Sequence, residues 1–260
     1  MDWHSAGAPC QPLTHVVGHV IMMQHKLPEI SRVLLERIKL VRRDVGNLLF
    51  HFTRAPKEKF ISVQLHHGGT LSMSSSASAV LRKILYEGKL LGTSTWTYGE
   101  KCVCFTEAPI QEFNSIFSLV EIASSQQERP RYEPYGIAVS KKWFFKKGGR
   151  PVIYDHPDAF NDFPKELKYR FVPYDPEQGI DFTWEREWRI KADYLELDPK
   201  ETLVVVPTSD EAFEIVYEFA ELEADWDVEG SSGEGYISGV YHEPKWLAVS
   251  LDLFGFNYSK

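Results

Sequence analysis

Apolar positions recur at helical spacing in "LPEISRVLLERIKLVRRD", where Ile30, Val33, Leu34, Ile38 and Val41 share one face and Pro28 suits the first turn. The opposite face carries Arg32, Arg37, Lys39, Arg42 and Arg43, which reads as a solvated face or, alternatively, as a patch facing nucleic acid. "NLLFHFTR", 47 to 54, is a short buried strand with His51 and Thr53 on one face. A Gly- and Ser-rich loop is expected over 68–78, followed by an amphipathic helix, "ASAVLRKILYEGKLLG", closed by Gly88. "KCVCFTEAP" (101–109) predicts a strand and "IQEFNSIFSLVEIASSQ" a helix. "YGIAVSKKWFFKKGGRPVIYD" predicts strand, helical turn, Gly-Gly turn and strand. The Pro- and Asp-rich span 155–181 reads as loop with room for one short helix, and "FTWEREWRIKADYLEL" and "ETLVVVPT" as further strands.

From Asp210 to Glu229 there are nine acidic residues and no Lys or Arg. The pattern predicts a helix with Phe213, Val216, Tyr217 and Ala220 on its core face and Glu214, Glu218 and Glu221 in water. "GSSGEG" (230–235) is a loop and "KWLAVSLDLFGF" a last apolar segment. Strands outnumber what a helical bundle tolerates, and they do not alternate regularly with helices, so the expected class is α+β. The expected division is an N-terminal arm with its amphipathic helix, 1–47, and a domain, 48–260, with an acidic region near its C-terminal end.

A formal net charge of -8 and a pI of about 5.6 exclude a protein whose main task is to coat nucleic acid, because phosphate binding depends on many Lys and Arg. A local groove remains open at "SKKWFFKKGGR", where Lys141, Lys142, Trp143, Lys146, Lys147 and Arg150 interleave cations with aromatics. Core aromatics flanked by wet lysines is the simpler account of the same stretch. Cys10, Cys102 and Cys104 give neither a disulfide framework nor a four-ligand zinc set, which points to packing roles in a reducing cytoplasm. "HVVGHVIMM" is too short to span a bilayer and has no preceding Lys or Arg, so neither a signal peptide nor a membrane helix is expected.

The chemistry concentrates in "TWEREWRI", 183 to 190. As a strand it places Glu185, Glu187 and Arg189 on one face, with Trp184, Trp188 and Ile190 anchoring the other. Two neighbouring carboxylates suit a general acid and base pair, a metal, or a developing positive charge. Metal binding is the weakest of these, since no compact His or Asp ligands accompany them. A surface strand with a Glu185–Arg189 ion pair is the structural alternative. His51 is likewise either a satisfied core residue or a functional group.

The order of "FHFT", "LRKILYEGKLL", "VCFTEAP", "YGIAVSKKWFFKKGGRPVIYD" and "EREW", over roughly residues 48–192, resembles the ADP-ribosyltransferase superfamily. The likeness is to DarT-type toxins and to the AbiGi-type abortive-infection proteins of bacterial phage defence. It implies a split mixed sheet with peripheral helices, NAD as co-substrate and no metal. It assigns His51 and Thr53 to gripping NAD, and Phe105 and Thr106 to flooring the nicotinamide pocket. Glu187 is implied as the catalytic glutamate and Glu185 as its substrate-orienting partner. DarT-type enzymes carry an arginine in a long segment before the second strand; here that segment is only "GTSTWTYGEK", without an arginine, so Tyr98, Lys101, Arg54 and Arg82 become candidate stand-ins, none of them in a matching motif. The implied function is mono-ADP-ribosyl transfer to nucleic acid or protein, as a toxin or phage-defence effector with a possible cognate antitoxin. Two rivals stand beside it: an inert binding module on the same fold, docking through the acidic segment, and a metal-dependent nuclease or nucleotide hydrolase using Glu185 and Glu187.

Overall fold

The computed structural model describes residues 46–65, 68–95, 97–113, 117, 132–229 and 234–256; of residues 221–242 only the backbone is described. All of them belong to the compact unit Arg43–Lys260. The amphipathic helix expected at 28–44, most of the helix expected after Pro109, and Cys10 lie outside the described residues.

The chain runs through β1 (Leu48–Phe52), β2 (Phe60–Gln64), β3 (Thr70–Ser74), α1 (Ala77–Glu87), β4 (Lys89–Leu91) and β5 (Cys102–Thr106). It continues with β6 (Gly136–Ser140), α2 (Lys141–Lys146), β7 (Arg150–Pro151), β8 (Ile153–Asp155), β9 (Phe171–Pro173) and β10 (Glu187–Lys191). Last come β11 (Tyr194–Glu196), β12 (Thr202–Val206), α3 (Ser209–Glu218), β13 (Ala220–Glu229), β14 (Glu234–Pro244) and β15 (Leu247–Ser250). Among the described residues a seven-stranded sheet has the order β15-β12-β6-β1-β5-β10-β7. It is antiparallel except for the β12–β15 pair, so the fold is α+β around a mixed sheet.

Both faces of this sheet are apolar, which is why its strands read as runs rather than alternations. Leu49, Val103, Phe105, Ile137, Ile190 and Val204 pack on one face with Leu81 and Leu85 of α1, Trp143 and Phe144 of α2 and Ile215 of α3. Each buried leucine contributes about 1.5–3 kcal/mol. The second face collects Phe50, Phe52, Ala138 and Val205 with Phe113, Phe117, Leu251 and Phe256. Ser76 caps α1 at its start, and Gly88 ends it in the left-handed conformation (φ 63), as the sequence predicts.

Three expectations change. Part of the loop expected over 68–78 is strand β3, paired with β2 in a hairpin. The acidic helix stops at Glu218, and the chain turns into β13, so Glu221 falls in a strand. On α3 the buried residue is Ile215, while Phe213 and Tyr217 are exposed. The carboxylate Glu218 binds Arg82 of α1 at 2.8 Å.

Candidate functional site

β1, β5 and β10 lie side by side in the sheet, although the first and last of them are more than 130 residues apart in the chain. β1 pairs with β6 over five residues but with β5 at one register pair only, Phe50 with Thr106. Past that pair His51 Nδ1 donates to the Cys104 carbonyl at 2.8 Å, in place of a strand-to-strand bond. Donation from Nδ1 leaves Nε2 as the acceptor of a neutral imidazole. Burial holds His51 below its ordinary value of 6.5, and the bond to Cys104 offsets part of that shift.

Thr53 is buried, and its hydroxyl donates to the backbone carbonyls of Ala77 and Tyr135, both at 2.9 Å. Thr106 is also buried; its hydroxyl donates to the Glu185 carbonyl and accepts from Ala108 N. Phe105 lies in the core against Phe144. The hydroxyls of Thr53 and Thr106 thus hold chain segments together, and Phe105 is a core residue.

The glutamate strand departs from its expected form. Thr183–Glu185 is a 3-10 turn, Arg186 is left-handed (φ 44), and β10 begins only at Glu187. Glu185 is therefore not a strand neighbour of Glu187; it is 3% exposed, and Trp184, expected in the core, is 44% exposed. The ion pair is Glu187–Arg189, not Glu185–Arg189. Arg189 Nε meets Glu187 Oε1 at 2.8 Å and Nη2 meets Oε2 at 2.9 Å. Arg189 Nη1 donates to the carbonyls of Tyr169 (2.7 Å) and Phe171 (3.2 Å), and the residue is 4% exposed. Burial pulls the Arg189 pKa down, and the Glu187 carboxylate more than restores it. Tyr154 completes the surroundings: its hydroxyl accepts from Glu187 N and donates to the Phe182 carbonyl, both at 3.2 Å.

Register fixes the faces. Glu187 is opposite Thr106 and Arg189 opposite Cys104, whereas Trp188 is opposite Phe105. Antiparallel partners share a face, so Glu187 lies on the Phe50 face and His51 on the Phe105 face. On the His51 side stands a carboxylate that the sequence reading passed over. Glu107 accepts from Trp188 Nε1 at 2.8 Å and forms a close ion pair with Lys141. The "FTEAP" glutamate carries no periodicity signal, and only the pairing of β5 with β10 brings Trp188 to it.

Tyr98, with φ 55, stacks on Phe160 at 4.1 Å and is 48% exposed. It lies near enough to Arg189 for the guanidinium to temper a phenol pKa that burial raises. In the basic stretch Trp143 is a core residue and Lys141 belongs to Glu107, so neither faces a nucleic acid. Lys142, Lys146 and Lys147 are exposed, and the aromatic at the surface is Phe145, 50% exposed under the Arg150 guanidinium at 4.0 Å.

Among the described residues no group of three or more His, Cys, Asp or Glu is placed to hold a metal ion, and no helix is long and apolar enough to cross a membrane. Comparison with protein-family models, curated proteins and solved structures finds no match.

Proposed function

We propose that this chain is a NAD-dependent mono-ADP-ribosyltransferase, acting as a toxin or phage-defence effector, with Glu187 as its catalytic carboxylate. One observation carries the reading: the three strands bearing the "FHFT", "VCFTEAP" and "EREW" motifs are adjacent, and β1 and β5 part after one register pair, with His51 in the gap. NAD supplies an activated ribosyl carbon with nicotinamide as leaving group. Glu187 would accept a ribose hydroxyl hydrogen bond that strengthens as the sugar becomes cationic. A carboxylate has about four acceptor positions, and Arg189 occupies two of those on Glu187. Glu187 fits NAD through the acceptor positions that Arg189 leaves, and His51 offers Nε2 only on the opposite face of the sheet. Thr53, Phe105 and Thr106 do not fit it, because the fold already uses their groups. The acceptor is nucleic acid, which the cationic surface of Lys142, Lys146, Lys147 and Arg150 favours, or protein.

A second reading, an inert binding module on the same fold, draws support from a different observation. Glu187 is clamped by Arg189 and faces away from the His51 side of the sheet. Nicotinamide release from NAD separates the two, measured without metal for wild type and Glu187→Gln, with DNA, RNA and cell lysate as acceptors. Release by wild type alone supports the transferase. No release from folded protein with any acceptor supports the binding module.

A further inference from the structure

We propose that Arg189 is the positioning residue of this site, holding the Glu187 carboxylate in one orientation and coupling that orientation to the segment Lys165–Pro173. The inference rests on the transferase reading for its catalytic part only. A glutamate on a strand has three side-chain torsions, and left in water it would populate several rotamers. Here both carboxylate oxygens are taken by one planar guanidinium, at 2.8 and 2.9 Å, in the bidentate geometry that fixes direction as well as distance. The guanidinium is itself immobile: its remaining terminal nitrogen donates to the Tyr169 and Phe171 carbonyls. Those carbonyls belong to the end of a 3-10 segment and the start of β9. Phe171 anchors them in turn, packed edge-on against Phe160 and Phe163. The chain of contacts therefore runs from an aromatic cluster, through two carbonyls and one guanidinium, to the carboxylate. Glu185, which the resemblance implied as a substrate-orienting partner, is buried in the preceding turn.

The test pairs an activity readout with one that needs no activity. Unfolding midpoints of wild type, Arg189→Lys, Glu187→Gln and the double variant form a cycle. The clamp predicts non-additivity, with the double variant losing little more than Arg189→Lys alone. In steady-state nicotinamide release, Arg189→Lys should lower kcat by about 100-fold while NAD affinity by calorimetry stays within about twofold, as expected for a group misplaced by about 1 Å. Should Arg189→Lys not fold, Glu187→Asp serves: it leaves Arg189 on its carbonyls, withdraws the carboxylate by one methylene, and should show the same kcat loss. An additive cycle overturns the clamp whatever the activity. A non-additive cycle with kcat unchanged in both variants overturns the positioning role. A non-additive cycle in a protein that releases no nicotinamide overturns the transferase reading and supports the clamp.

Discussion

His51 Nδ1 donates to the Cys104 carbonyl across 2.8 Å, so a side chain spans the gap where β1 and β5 no longer pair. The bond fixes the tautomer, and burial keeps the ring neutral. Folded protein then binds fewer protons than unfolded protein between the depressed native value and 6.5. Stability should rise with pH through that window and gain nothing from His51 above it. His51→Asn, which keeps an N–H donor and removes the titration, should flatten this part of the profile. Thermal melts at pH 5 and pH 7.5 check it; an unchanged difference between the two would remove His51 from the account.

Trp188 and Glu107 make a second cross-strand link, and Lys141 shares the carboxylate. Glu107→Gln keeps an acceptor for the indole and should cost less than about 1 kcal/mol. Glu107→Ala leaves the indole N–H without its acceptor and should cost about 1–3 kcal/mol, read by urea unfolding. Equal costs for the two substitutions would show that the indole bond contributes nothing.

Gly149 is required by proximity. A Cβ there would lie 2.2 Å from the Phe144 ring, which is fully buried in the core. Gly149→Ala should destabilise by about 1–3 kcal/mol or more, the range for overpacked cores. Gly149→Ala with Phe144→Leu should recover part of the loss in the same denaturation experiment. A neutral Gly149→Ala would show that α2 shifts freely.

Burial first, and the Glu187 carboxylate second, push the Cys104 thiol well above its ordinary range, with Arg189 opposing. Alkylation of Cys104 in folded protein at pH 8.5 should therefore be much slower than in urea. Glu187→Gln should accelerate it, since one of the two named causes is gone. Peptide mapping of the alkylated protein reads the site; a rate indifferent to Glu187 would place the carboxylate too far from the thiol to matter.

Local pattern in the sequence determined β1, α1 with its Gly88 cap, β5, the β6-to-β8 run and β12, because apolar runs and turn glycines act within a few residues. It also singled out His51 and Glu187 as polar groups on buried strands. What it misjudged depended on partners distant in the chain. E-x-E-x-R reads as one continuous strand face, yet Arg186, a non-glycine in the left-handed region, breaks it and leaves Glu185 in a turn. Phe213 and Tyr217 match a core-facing stripe, but Arg82 on α1 binds Glu218 and Glu214, while Ile215 enters the core. Glu107 and Arg189 gained their roles only when β5 and β10 paired and the 165–173 segment closed over the guanidinium. Periodicity encodes which side of an element is apolar; which charge meets which is decided by register and strand order, and these exist only in the assembled sheet.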